Sequence, residues 1–151
     1  MSSAKVGALI VFENKTILND VVESGSSVDA IVSREMLENI FYPKAPLHDG
    51  AVIIRDGRVY AAGCLLPLTK NTNISLALGT RHRAAIGMSE NSDATVVVVS
   101  EETGTISVAS KGNLKRDFDA ITLKTELENS ISGVESADAG KKSKNPFKRM
   151  G

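Results

Sequence analysis

Apolar residues in this chain fall into two kinds of pattern: short unbroken blocks, and positions recurring every three or four residues. Residues 6–12, from Val6 to Phe12, are a block of the first kind and predict a buried strand. Residues 94–100, with Val96, Val97, Val98 and Val99 in succession, predict a second. Two strand-like runs at 51–55 and 58–63 are joined by Asp56-Gly57, which predicts a hairpin closed by a type I′ turn. Residues 104–109 predict a hairpin partner for 94–100 across Glu101-Glu102-Thr103. Helical spacing is clearest at 34–41, where Met36, Ile40 and Phe41 share a side, Ser33 is placed as N-cap and Glu35 sits in the first turn. Pro43 and Pro46 stop that helix and hold the chain extended.

Further along, Thr80 is placed to cap a helix from Arg81 to about Ser89. Residues 117–131, with Phe118, Ile121, Leu123 and Leu127 apolar, predict a last helix packed on the sheet. Residues 14–32 are mixed, with a short helix predicted at 18–23, and residues 64–68 lead from the hairpin into a polar loop ending near Ser75. This order of elements predicts an α/β fold: one domain with a central mixed β-sheet flanked by helices, its hairpins antiparallel.

Composition narrows the function classes. With 151 residues the chain is expected to form one domain, over 4–133, with a core large enough to fold alone. Beyond Gly133, Lys141, Lys142, Lys144, Lys148 and Arg149 occur among Ser, Asn and Pro, which predicts a basic disordered tail over 134–151. Lys plus Arg and Asp plus Glu balance at 18 each, which argues against a general nucleic-acid binder and makes any anion site local. A single cysteine, Cys64, excludes an internal disulfide and points to a reducing cytoplasm, with Cys64 as a small buried hydrophobe. The apolar block at 6–12 is far too short to span a bilayer and lacks the flanks of a signal peptide.

Two polar segments interrupt the apolar pattern, and both histidines of the chain lie in them. In Pro46-Leu47-His48-Asp49-Gly50-Ala51, a carboxylate and an imidazole stand side by side at a strand entry. One reading is a turn in which Asp49 caps its own backbone and Gly50 supplies an unusual dihedral. The other is a site in which Gly50 and Ala51 let a ligand approach the backbone. Asp49 then binds a divalent metal or accepts a hydroxyl proton, and His48 shares a softer ion such as manganese or cobalt.

In Gly79-Thr80-Arg81-His82-Arg83 the start of a helix coincides with two arginines and a histidine, which suits phosphate better than a solvated basic turn. Residues two apart on a helix diverge, so Arg81 and Arg83 are expected to serve different partners: the ligand for one, a carboxylate or second subunit for the other. Ser100-Glu101-Glu102 closes a strand, either as an ordinary turn or as a further carboxylate for a metal site.

Taken in order, Pro-Leu-His-Asp-Gly-Ala, Leu-Pro-Leu, Leu-Gly-Thr-Arg-His-Arg-Ala-Ala and Val-Ser-Glu-Glu-Thr-Gly resemble the diadenylate cyclase domain, most closely its membrane-anchored, CdaA-like branch. The likeness runs over about 4–131. It implies condensation of two ATP molecules into cyclic di-AMP with release of two pyrophosphates. It further implies that Asp49 activates the ribose 3′-hydroxyl, directly or through a metal, and that Gly50 and Ala51 contact the nucleotide. Gly79, Thr80, Arg81, His82 and Arg83 then hold the phosphates. Leu66 borders adenine, Ser100 and Glu101 lie near the substrate, and His48 and Glu102 join Asp49 as metal ligands, for Mn2+, Mg2+ or Co2+. Such domains hold one ATP per subunit, so a face-to-face homodimer is implied, with a protein regulator as a further partner. Membrane contact is implied only through an N-terminal anchor that this sequence lacks, with the domain on the cytoplasmic face. The alternatives are a nucleotide-binding sensor with little turnover and a purely structural module, and the clustering of His48, Asp49, Arg81, His82 and Arg83 favours the enzyme.

Overall fold

In a computed structural model of the protein, residues 5–71 and 78–135 are described. The elements, in chain order, are β1 (Ala8–Phe12), α1 (Asn19–Glu23), β2 (Ser26–Ile31), α2 (Arg34–Phe41), β3 (Ala51–Arg55), β4 (Arg58–Cys64), α3 (Thr80–Asn91), β5 (Thr95–Val99), β6 (Ile106–Ser110), β7 (Asn113–Phe118) and α4 (Ala120–Glu135). The seven strands form one sheet in the order β2-β4-β3-β1-β5-β6-β7, parallel between β1 and β3 and antiparallel at the other pairs. The α/β architecture with a mixed sheet agrees with the sequence pattern.

Every residue of β1 and β5 is buried. Both faces of these central strands are covered, which is why they read as unbroken apolar blocks. Leu9, Val11, Ile53, Val96 and Val98 pack under Ala84, Ala85 and Met88 of α3 on one face. Ile10, Phe12, Val52, Ile54 and Val97 pack with Leu37, Ile40 and Phe41 of α2 and Leu127 of α4 on the other. The β3–β4 turn has φ of 50° at Asp56 and 73° at Gly57, as a type I′ hairpin requires. Ser33 caps α2 by accepting from the Met36 N–H at 3.0 Å.

Two strands depart from the expectation. β2 lies within the segment read as mixed, and β7 lies mostly in a stretch with no predicted element, overlapping the predicted helix over 117–131 only at its first two residues. Both are sheet edges with mostly exposed, polar residues, so neither leaves a strand-like apolar alternation. α4 begins only after Asp119, whose carboxylate accepts the Thr122 N–H at 2.8 Å while Thr122 Oγ1 accepts the Asp119 N–H at 2.9 Å. Ile121, expected on the buried face, is 78% exposed. The polar loop read to Ser75 falls partly, and the basic tail almost wholly, outside the described residues. Among the described residues no helix is long and apolar enough to cross a membrane.

Candidate active site

Register brings the two polar segments to the same end of the sheet. β1 pairs with β3 through Ile10↔Val52 and with β5 through Ala8↔Val99. The start of β1, the entry to β3 and the exit of β5 therefore coincide. Asp49 precedes β3 and Ser100 follows β5, with only β1 between them, about 10 Å at ordinary strand spacing.

At the β3 entry, residues 46–50 form a tight turn. The His48 ring is fixed through Nδ1, which lies 2.7 Å from the Ala45 carbonyl, and its Nε2 stands 3.1 Å from Asp49 Oδ1. The Asp49 side chain is 83% exposed, and among the described residues no backbone N–H donates to it. It is not used as a turn cap. A histidine anchored through one nitrogen, with the other beside a free carboxylate, is a donor set suited to a divalent cation. Among the described residues, however, no three His, Cys, Asp or Glu side chains cluster as a metal cage. Glu102 does not join His48 and Asp49 in such a cluster.

The small residues after Asp49 have a packing role that the sequence reading missed. A Cβ on Gly50 would lie 2.4 Å from the Gly63 carbonyl carbon and 2.8 Å from the Cys64 nitrogen, so Gly50 is bare because β4 crosses there. Ala51 is 0% exposed, its methyl in the core. Their smallness thus serves the hairpin, whereas the sequence suggested that it lets a ligand approach.

The segment expected to hold phosphate borders a cleft of about 320 Å³ between the start of α3 and the exit of β5. Its walls are Leu78, Gly79, Thr80, Arg81 and His82 on one side and Val99, Ser100, Glu101 and Glu102 on the other. Gly79, not Thr80, is the N-cap, and no side chain caps the helix, so the N–H groups of the first turn are available to an anion. Arg81 is half-buried and reaches Glu101 Oε2 at 3.4 Å. Its guanidinium lies on Gly7, where a Cβ would stand 2.7 Å from Nη1. Ser100 Oγ accepts from the N–H groups of Glu102 at 3.2 Å and Thr103 at 3.3 Å, which shapes the turn carrying both glutamates.

His82 is buried, and its Nε2 has no hydrogen-bond partner. Burial first, then the charges of Arg116 and Arg81, hold its imidazole below the ordinary range, so it is neutral at pH 7. Arg83 does not line the cleft, which fits the expected divergence of the two arginines. Its carbonyl accepts the Thr69 N–H at 3.0 Å and ties the segment after β4 to α3. That segment crosses the helix at Gly87, where a Cβ would stand 2.1 Å from the Pro67 oxygen. Leu66 is thereby held against the α3 side of the core. Gly7 and Gly87 shape the site, yet in sequence they read as ordinary strand and helix positions.

Residues 1–114 match the family model described as "DAC: DisA bacterial checkpoint controller nucleotide-binding". The chain is 48% identical over 128 residues to cyclic di-AMP synthase CdaA of Bacillus subtilis, covering 85% of this chain and 47% of that protein. It is 50% identical over 114 residues to diadenylate cyclase CdaS of Bacillus thuringiensis, covering 76% of this chain and 57% of that one. It spans about half the length of these curated relatives. A crystal structure of a double mutant of DacA from Staphylococcus aureus superposes with a TM-score of 0.84 at 48% identity, covering 86% of this chain and 87% of that one. A Bacillus cereus structure, titled as a hypothetical membrane spanning protein, matches with a TM-score of 0.75 at 48% identity, covering 78% of this chain and 58% of that one.

Proposed function

The chain belongs to the DAC nucleotide-binding family, and from that premise we propose that it is a diadenylate cyclase, a nucleotidyltransferase that condenses two ATP molecules into cyclic di-AMP and releases two pyrophosphates. The observation that carries the reading is the meeting, at one sheet end, of an exposed carboxylate at Asp49 and an uncapped helix start with Arg81 across from Ser100.

Each transfer forms a bond from a ribose 3′-oxygen to an α-phosphorus and breaks the bond to pyrophosphate. In this reading Asp49 accepts the hydroxyl proton. Thr80, the N–H groups of the first turn of α3 and Arg81 hold the phosphates, and Arg81 exchanges Glu101 for phosphate oxygens as the nucleotide enters. His82 is buried, and burial disfavours its charged form, so the cationic grip on phosphate falls to Arg81. Leu66 offers an apolar edge for adenine. His48 and Asp49 would hold a divalent ion such as Mn2+, Mg2+ or Co2+, which supplies Lewis-acid polarisation and lowers the hydroxyl pKa. In this reading the remaining ligands come from phosphate oxygens.

In this reading each chain binds one ATP, so both bonds form only when two chains face each other, each presenting its 3′-hydroxyl to the other's α-phosphate. Turnover per chain should therefore rise with protein concentration until the dimer is saturated. Strictly linear total activity down to the monomeric range would overturn the two-chain mechanism. In the CdaA-like branch we place this domain at the cytoplasmic face of a membrane, through a segment outside the sequence described, with a protein regulator as a further partner.

A further inference from the structure

We propose that Arg116, which lies beyond the walls of this cleft on the β7 side, is a second phosphate-binding cation, receiving the terminal phosphates of the bound nucleotide and the pyrophosphate that leaves; the assignment rests on the nucleotidyl-transfer reading above.

The argument begins with an irregularity in β7. Its pairing with β6 runs Ser110↔Asn113, Ala109↔Leu114 and Val108↔Lys115, then shifts and resumes at Ile106↔Phe118. Ser107 is thus opposed by two residues, Arg116 and Asp117, and Asp117 takes the left-handed region at φ 67°. This is a β-bulge, a device that redirects side chains and is common beside active sites. Its effect is visible in the packing. Leu114 packs with the core under α3, whereas Phe118 packs with the core on the other face. Alternation from Leu114 makes Arg116 the last β7 residue on the α3 side before the chain changes face.

The strand directions then fix which end of the sheet it occupies. β5, β6 and β7 are successively antiparallel, so the end of β7 lies at the same sheet end as Ser100. Across that end the order is Leu66 after β4, Asp49 before β3, Gly7 before β1, Ser100 after β5, and Arg116 near the end of β7. A nucleotide with its base at Leu66, its ribose at Asp49 and its α-phosphate between Arg81 and Ser100 extends its remaining phosphates toward β6 and β7. Arg116 stands there, about 10 Å from Ser100 at ordinary strand spacing, within the span of a long side chain and a polyphosphate.

Two observations agree. His82, which lines the cleft, feels the charge of Arg116 more strongly than that of its own neighbour Arg81. Arg116 is also exposed and has no carboxylate partner among the described residues, while Lys115 beside it pairs with Glu126 at 3.2 Å. Its charge is therefore available to a ligand.

The test compares the native chain, Arg116→Gln and Arg116→Lys in calorimetric titrations with ATP, AMP and inorganic pyrophosphate. Arg116→Gln should weaken ATP and pyrophosphate about tenfold, as loss of one charge-assisted contact implies, and leave AMP within about twofold. Arg116→Lys should recover part of the loss. By NMR, the His82 imidazole of Arg116→Gln should titrate at higher pH than in the native chain. Unchanged pyrophosphate affinity, or an equal loss for AMP and ATP, overturns the assignment. A native chain that binds no ATP at all overturns the underlying site reading, and the assignment with it.

Discussion

A substitution at Gly7 separates the phosphate grip proposed for Arg81 from the stability of the fold. An alanine at this position would place its Cβ 2.7 Å from Arg81 Nη1, 2.8 Å from Arg81 Cζ and 3.2 Å from Glu101 Cβ. Two of these atoms are the far end of a flexible side chain, so the guanidinium moves and the backbone need not. Gly7 is not among the positive-φ residues, so alanine fits its backbone and gains about 0.4–1 kcal/mol through the unfolded chain. That gain offsets part of any crowding, and the melting temperature of Gly7→Ala should change little. Displacing Arg81 removes a charge-assisted contact to phosphate, about 1.5–3 kcal/mol, or roughly 10- to 150-fold in ATP affinity. Titration calorimetry with ATP and thermal melts on the same samples read the two effects apart. Because the mechanism runs through Arg81, Gly7→Ala should have almost no further effect in an Arg81→Ala background. Native ATP affinity in Gly7→Ala, or the same loss in both backgrounds, would refute the reasoning.

Gly50→Ala should behave in the opposite way. Its Cβ meets β4 backbone at 2.4 Å, and backbone cannot swing aside, so a loss of about 1–3 kcal/mol in denaturant unfolding is expected; unchanged stability would restore a purely ligand-facing role. His82 gives a pH prediction. Burial, then Arg116 and Arg81, hold its folded-state pKa below the ordinary imidazole value, so folding favours the neutral ring. Its contribution to stability is intact above that ordinary value and is lost as pH falls below it toward the folded pKa. Unfolding free energies measured downward from pH 7.5 should show this decline in the native chain and lose it in His82→Gln; identical profiles would contradict it.

The centre of the sheet was legible because strands covered on both faces have no polar alternation to hide them: β1 and β5 stand in the sequence as apolar blocks. The Asp56-Gly57 hairpin was legible for a local reason, the positive φ at both positions. The edges were not. β2 and β7 are mostly exposed, and in β7 a bulge breaks the alternation as well. In the site, Asp49 and the start of α3 could be found because each carries its chemistry within a few residues. Gly7, Gly87 and Arg116 could not, because what gives them meaning is a contact or a sheet position far away in the chain. Gly50 and Ala51 show the reverse: a motif that reads as ligand-facing is also what lets two strands cross.

Mass spectrometry of the products formed from ATP with manganese or magnesium tests the proposed activity most directly. The native chain should yield cyclic di-AMP and pyrophosphate in a ratio of one to two, and Asp49→Asn should bind ATP yet yield neither. ATP bound by the native chain without any cyclic product, or product from Asp49→Asn at the native rate, would contradict it.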